Sequence, residues 1–403
     1  MKIALCIFRF FAFGGLQKDF LRLAKTCVAR GHDVRAYCGN DSAPADLLRA
    51  KLNLTILPLH GLTNHSRAHS FEKQFAQIAA EENFDCVVGF NRMSGLDFYF
   101  AGDSCLAERI AHASFWEKFK FLLPRYRTFL RMEKAVFSPE SKTQILAISP
   151  NQQHAYIRRY ATPADRFFRV PLDFDSRCRE LAGDPARKAE LRSRTREDLG
   201  LRADDFALIL VGSDFKRKGA LRIIDAIAAL PQEFRARTKL FLVGDTFPVP
   251  YLDAAAGLGL ANNVFALGGR KDVPELLCAA DWMVHPAEDE AGGSALLEAA
   301  VLGLPVICTE VCGFSGEIER WEGGFVLTNP FRRQSLNLFL KRLAERHFSG
   351  GNSDDFGLPP ENPEPLKIPR TLRHETIAGL IENFCKSRRR SREKTADADE
   401  KGR

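Results

Sequence analysis

Residues 1–38, MKIALCIFRFFAFGGLQKDFLRLAKTCVARGHDVRAYC, read in order as strand, glycine turn, helix and strand. Lys2–Phe8 is an apolar run of strand length, interrupted by Arg9 long before it could span a bilayer. No small-residue cleavage site follows it, so it is read as a first strand and not as a leader. Phe13-Gly14-Gly15 forms the turn. Leu16, Phe20, Leu23, Ala24 and Cys27 then recur at helical spacing until Gly31 ends the helix, and Val34–Cys38 is apolar again.

The same alternation continues outward. Leu54–Pro58, Cys86–Phe90 and Ile145–Ile148 are further strand candidates. The pattern resets near Val170-Pro171-Leu172-Asp173, and Arg187–Asp198 reads as an exposed charged helix. A second series follows, with strands at Ala207–Val211, Leu240–Val243, Val264–Leu267, Trp282–Val284 and Pro305–Cys308. Helices at Ala220–Leu230, Asp272–Ala280 and Ser294–Leu302 separate them. Strands alternating with helices predict an α/β chain of two Rossmann-like, doubly wound domains facing a cleft, with ligands at the carboxyl ends of the strands. The expected boundaries are 1–171, 172–345, a loop and crossing helix over 346–390, and a disordered tail over 391–403. Within that end region Leu372–Phe384 is amphipathic and Lys386–Lys394 (KSRRRSREK) is a charge run.

Composition narrows the function. Lys and Arg number 58 against 51 acids, a formal net charge of +7. That excess suits an anionic substrate, a phosphorylated acceptor or an acidic membrane face, and nucleic acid is not required. The ten cysteines form no C-x-x-C pair, which predicts reduced, buried thiols in a cytosolic protein.

Three loops could carry chemistry. Gly14-Gly15 ends the first strand and opens a helix, where backbone amides can meet a phosphate; a purely structural turn fits equally. Gly212–Gly219 (GSDFKRKG) puts Arg217 and Lys218 at a strand end, where fixed cations can offset the charge of a departing diphosphate without a metal. His285–Glu298 (HPAEDEAGGSALLE) holds Glu290 in a loop and Glu298 about one turn inside a helix, with Ala291, Gly292 and Gly293 between. Carboxylates accept hydrogen bonds from sugar and ribose hydroxyls, although acids near helix starts also stabilise helices. His285 is read as structural or hydrogen-bonding rather than as a base. Asp103 is too isolated for an Asp-x-Asp metal motif, so no metal site is expected.

Together the E-x7-E spacing, the Gly-Gly turn and the Arg-Lys loop resemble the retaining glycosyltransferases of family 4, which are GT-B enzymes. FAFGGLQKDFLRLA, LTNHSRAHS, VVGFNRMSGLDFYFAGDSC, VGSDFKRKG, LGGRKDVPELLCAADWMVHPAEDEAGGSALLEA and GLPVICTEVCG carry the likeness over most of residues 1–330. Within that family the chain is similar to the lipopolysaccharide core glucosyltransferases, which add glucose from UDP-glucose to an inner-core heptose. The resemblance implies that Glu298 holds ribose hydroxyls and that Glu290, with the amides of Ala291–Gly293, holds the donor sugar. Arg217 and Lys218 would hold the diphosphate, helped by Gly15, and the backbone near Arg270 would meet the base. Asp19 would lie at the acceptor or reaction centre, with His65 on the acceptor side. A C-terminal helix would return to the first domain. No protein base, metal or cofactor is implied, because the leaving diphosphate oxygen can deprotonate the acceptor on the same face. A related hexosyltransferase with another donor or acceptor, or a catalytically idle nucleotide-sugar-binding protein on a membrane, shares parts of this pattern. The intact Glu290/Glu298 pair and Arg217-Lys218 argue against the idle form.

Ser104–Lys134 mixes cations with large rings, among them Trp116, Lys118, Lys120, Arg125 and Arg127. That mixture suits an interfacial helix on an anionic bilayer, and a basic-faced core helix pair is the competing reading. Pro124 predicts two short helices there. A lipid-anchored saccharide acceptor, implied by the resemblance, favours a peripheral place on the cytoplasmic face of the bacterial inner membrane.

Overall fold

The computed structural model describes residues 1–11, 14–39, 52–113, 119, 121–349, 358–369 and 372–401. It divides into two compact units, Met1–Leu172 with Arg370–Arg403, and Asp173–Pro369.

In the first unit the strands are β1 (Lys2–Ile7), β2 (Asp33–Cys38), β3 (Asn53–Ile56), β4 (Cys86–Gly89), β5 (Phe98–Ala101), β6 (Gln144–Ala147) and β7 (Phe167–Arg169). They pair in parallel in the order β3-β2-β1-β4-β5-β6-β7. Helices α1 (Gly15–Ala29), α2 (Asn64–Glu81), α3 (Leu106–His112), α4 (Pro124–Phe137) and α5 (Pro150–Tyr160) make the crossovers. Ile3, Leu5 and Ile7 on one side of β1 and Ala4 and Cys6 on the other are all buried, as a central parallel strand requires.

The second unit opens with α6 (Ser176–Ala182) and α7 (Pro185–Asp198). Then follow β8 (Phe206–Val211), α8 (Ala220–Ala228), β9 (Thr238–Val243), α9 (Val249–Gly257), β10 (Val264–Gly268) and α10 (Val273–Ala279). The unit ends with β11 (Trp282–His285), α11 (Ser294–Val301), β12 (Val306–Thr309), α12 (Ser315–Arg320), β13 (Gly324–Leu327) and α13 (Arg333–Ser349). The sheet order is β10-β9-β8-β11-β12-β13, again all parallel. The order reverses between β8 and β11, and ligands of such sheets bind at that switch point.

The end of the chain departs from expectation. Residues 358–369 stay with the second unit, where Leu358 and Ile368 are buried and Trp321 Nε1 donates to Glu364 O at 2.7 Å. α14 (Arg373–Lys401) joins the first unit against α1. Ile377, Ala378, Ile381 and Cys385 enter that unit's core, and Arg30 pairs with Glu375 at 2.6 Å and Glu382 at 3.1 Å. The tail expected to be disordered from 391 continues α14 as far as Lys401. Its Lys, Arg, Glu and Ala residues are good helix formers, and no glycine or proline interrupts them before Gly402. Among the described residues no helix is long and apolar enough to cross a membrane. All ten cysteines are buried and unbridged.

Candidate active site

The loops after β8 and β11 bring the sharpest candidates together. Phe215 is fully buried and meets the Tyr251 ring edge-on at 5.5 Å, which anchors the first loop. Gly219 then turns the chain into α8 with φ +81, and a Cβ there would lie 2.1 Å from Pro286 O. Only glycine permits both the backbone angle and that approach. Glu288 N donates to Arg217 O at 2.8 Å, and Arg222 Nη1 donates to Pro286 O at 2.9 Å, so the two loops are bound to each other.

Lys218 and Glu290 meet between these loops. The Lys218 ammonium pairs with Glu290 Oε2, and the two residues are 7% and 8% exposed. His285, at the end of β11, lies with Nε2 3.4 Å from the same oxygen and is 1% exposed. Burial pulls the Lys218 ammonium below the ordinary lysine value, with the Arg217 charge acting in the same direction. Burial also holds His285 well below an ordinary histidine, helped by Lys218 and Arg217, so its ring is neutral at pH 7. Arg217 is half-buried, with Nε 3.6 Å from Asp214.

A third segment braces the Glu290 loop. Gly313 N donates to Glu290 O at 3.0 Å, Phe314 N to Gly292 O at 3.1 Å, and Thr309 Oγ1 to Ala287 O at 2.8 Å. Gly293 takes φ +97 as the residue that caps α11, after the buried Ala291 and Gly292. Glu298 lies in the second turn of α11 and accepts from Asp175 N at 3.3 Å.

Asp175 and Arg177 are participants that the sequence analysis did not single out. Arg177 pairs with Asp175 at 2.8 Å and donates to Lys271 O at 2.6 Å, tying the surroundings of Glu298 to the loop that holds Arg270. The side chain of Arg270 is turned to Asp272 at 2.5 Å. The one available signal was Asp175 preceding Ser176–Ala182 as a helix cap.

In the first unit Gly14 caps α1 in an extended conformation and Gly15 begins the helix, with no acid in its first turn. Asp19 is committed to the start of α14, 3.1 Å from Arg373 and 2.9 Å from His374. Burial alone would raise its carboxyl. The His374 hydrogen bond and the charges of Arg373 and His374 outweigh burial and hold it below the usual aspartate range. His65 stands in the first turn of α2, with Nε2 3.4 Å from Thr63 Oγ1 of the capping box. Arg125 and Arg127 are exposed on α4, close in sequence to exposed Phe119, Leu122 and Leu123. Trp116, Lys118 and Lys120 lie outside the described residues. The inner side of this region is structural: buried Glu133 pairs with Arg92 and accepts from Leu106 N at 2.8 Å and Tyr160 OH at 2.7 Å.

A family model described as glycosyl transferases group 1 matches residues 192–346, which contain both loops. The chain is 38% identical over 345 residues to the lipopolysaccharide glucosyltransferase WaaG of Escherichia coli K12, covering 85% of this chain and 89% of that protein. A crystal structure of WaaG, a glycosyltransferase involved in lipopolysaccharide biosynthesis, superposes with a TM-score of 0.78 at 34% identity, covering 94% of this chain and 99% of that one. A structure of HepE from Anabaena with UDP and glucose shares the fold, with a TM-score of 0.61 at 20% identity over 98% of this chain and 100% of that one.

Proposed function

The chain belongs to the group 1 glycosyl transferases, GT-B enzymes, and on that footing we propose that it moves glucose from UDP-glucose, with retention, onto an inner-core heptose of lipopolysaccharide. The observation that carries this reading is the buried Lys218–Glu290 pair at the switch point between β8 and β11.

Breaking the bond between the anomeric carbon and the diphosphate leaves negative charge on the diphosphate. Arg217 and Lys218 offset it, Lys218 from a buried position and Arg217 from a half-buried one, where charges act more strongly than in open water. Fixed cations take the part a divalent ion would otherwise play, so the reaction proceeds without metal. Glu290 and the amides of Ala291–Gly293 take the sugar hydroxyls, Glu298 takes the ribose hydroxyls, and the backbone near Arg270 meets the base. The amide of Gly15 assists at the diphosphate. Asp19 and His65 serve the acceptor side, and Asp19 also secures α14. The diphosphate oxygen takes the acceptor proton on the face it leaves, so no side-chain base is assigned.

The acceptor is a lipid-anchored saccharide, and the enzyme works as a peripheral protein on the cytoplasmic face of the inner membrane. Exposed Phe119, Leu122 and Leu123 beside Arg125 and Arg127 support contact with an anionic bilayer. The test is incubation of the protein with a heptose-terminated lipopolysaccharide core and a panel of nucleotide sugars. Incorporation of α-linked glucose from UDP-glucose is expected. Transfer of another sugar, or of none, rejects the assignment.

A further inference from the structure

Glu290 Oε2 has two buried partners, and the mechanism uses only one of them. Lys218 comes from the loop after β8, and His285 closes β11 itself. When Lys218 turns to a diphosphate, Glu290 loses its cation while it is still buried. A buried carboxylate with a partner removed is costly and free to swing. His285 remains, 1% exposed and fixed in a central parallel strand, with Nε2 3.4 Å from the carboxylate oxygen.

We propose that His285 is a positioning residue: donating from Nε2, it keeps the Glu290 carboxylate aimed at the donor sugar after Lys218 has passed to the diphosphate. The inference rests on the donor roles given above to Lys218 and Glu290.

Two observations fix the tautomer that this needs. Nδ1 is buried and has no hydrogen-bond partner among the described residues, so the ring's one proton is best used at Nε2, toward Glu290. The charged groups facing the ring are Lys218 and Arg217 from the β8 loop and Glu290 from its own loop, with the Cys312 thiol 4.0 Å from His285 O. Both cations oppose a second ring proton, and the ring stays a neutral donor through the physiological range. The braces at Gly313 and Phe314 hold the main chain of the Glu290 loop, and they leave the carboxylate's direction to side-chain contacts.

Replacement by Gln keeps an amide donor near the Nε2 position, whereas Leu removes it and Asn places its amide near Nδ1. For His285→Leu, kcat with UDP-glucose is expected to fall on the order of 10- to 100-fold, as for a reacting group misplaced by about 1 Å. The donor KM and the affinity for UDP should stay within about threefold, because the nucleotide contacts lie elsewhere. His285→Gln should recover most of kcat. Wild-type kcat in a folded leucine variant overturns the proposal, as does a loss confined to KM. If the leucine variant does not fold, the pair His285→Gln and His285→Asn decides: recovery in Gln alone is expected, and equal turnover overturns it. Glu290→Gln is run alongside. If that variant turns over normally, the donor assignment of Glu290 has failed and the inference falls with it. If it is inactive while His285→Leu is active, only the positioning role has failed.

Discussion

Lys218 and Glu290 form a buried ion pair across two loops that leave adjacent strands of one sheet. Neither loop alone makes a site. The pair exists because Gly219 and Pro286 bring the two backbones into contact.

Arg217 and Lys218 should therefore respond differently to removal. Arg217→Ala is expected to raise the barrier by about 2–4 kcal/mol, the usual cost of losing one group that stabilises developing charge. Its melting temperature should barely move, because the guanidinium is half-buried beside Asp214. Lys218→Ala should lose turnover and also about 3–5 kcal/mol of stability, because it leaves the Glu290 carboxylate buried without a cation. Thermal melts beside turnover assays distinguish the two, and near-normal turnover in the double variant would reject the charge-compensation role.

Gly219→Ala should impair both loops at once. The residue has φ +81 and the new Cβ would overlap Pro286 O. Strain of about 1–3 kcal/mol from the backbone angle alone is expected, with the clash adding to it. A melting curve and a UDP-glucose turnover assay measure the effect. An alanine variant with wild-type stability and turnover would show that the close approach is not needed.

Activity should survive strong chelation. In the proposed reaction Arg217 and Lys218 supply two cations where the diphosphate would leave. Loss of turnover in a chelator, restored by Mg²⁺ or Mn²⁺, would contradict this.

Membrane binding should need anionic lipid and weaken with salt, since each cation near such a surface contributes about 1 kcal/mol within a Debye length. Arg125→Ser with Arg127→Ser is expected to lower flotation on anionic liposomes and to leave UDP-glucose hydrolysis intact. Equal flotation of variant and wild type would move the anchor elsewhere.

Asp19 gives the first unit an acid-dependent lock. Its carboxyl is held below its ordinary value, so its contribution is present above about pH 4, the unfolded aspartate range. That contribution is lost as pH falls through the lower folded value. Asp19→Asn should be less stable than wild type at pH 7, and the gap should close on acidification. A gap that is constant with pH would show that the Asp19 charge beside Arg373 and His374 contributes nothing.

Much of this architecture could be read from sequence because it lies where periodicity changes. Gly219 and Gly293 punctuate strand-to-helix turns, so Lys218, Glu290 and Glu298 fell at readable places. β5 (FYFA), β7 (FFR) and β13 (GFVL), three or four residues each, were not among the expected strands. The length of α14 was hidden because its polar end has charge without an apolar stripe. The contacts of His285, Asp175 and Arg177 depend on which strands become neighbours, and a linear pattern does not contain that information.

The most direct test of the donor site is acceptor-free hydrolysis of UDP-glucose by wild type, Lys218→Ala and Glu290→Gln, each with its UDP affinity measured. The donor roles of Lys218 and Glu290 predict slow release of UDP and glucose by wild type and a drop of at least about tenfold in both variants. UDP affinity should fall in Lys218→Ala and hold in Glu290→Gln. Undiminished hydrolysis by either folded variant would contradict those roles.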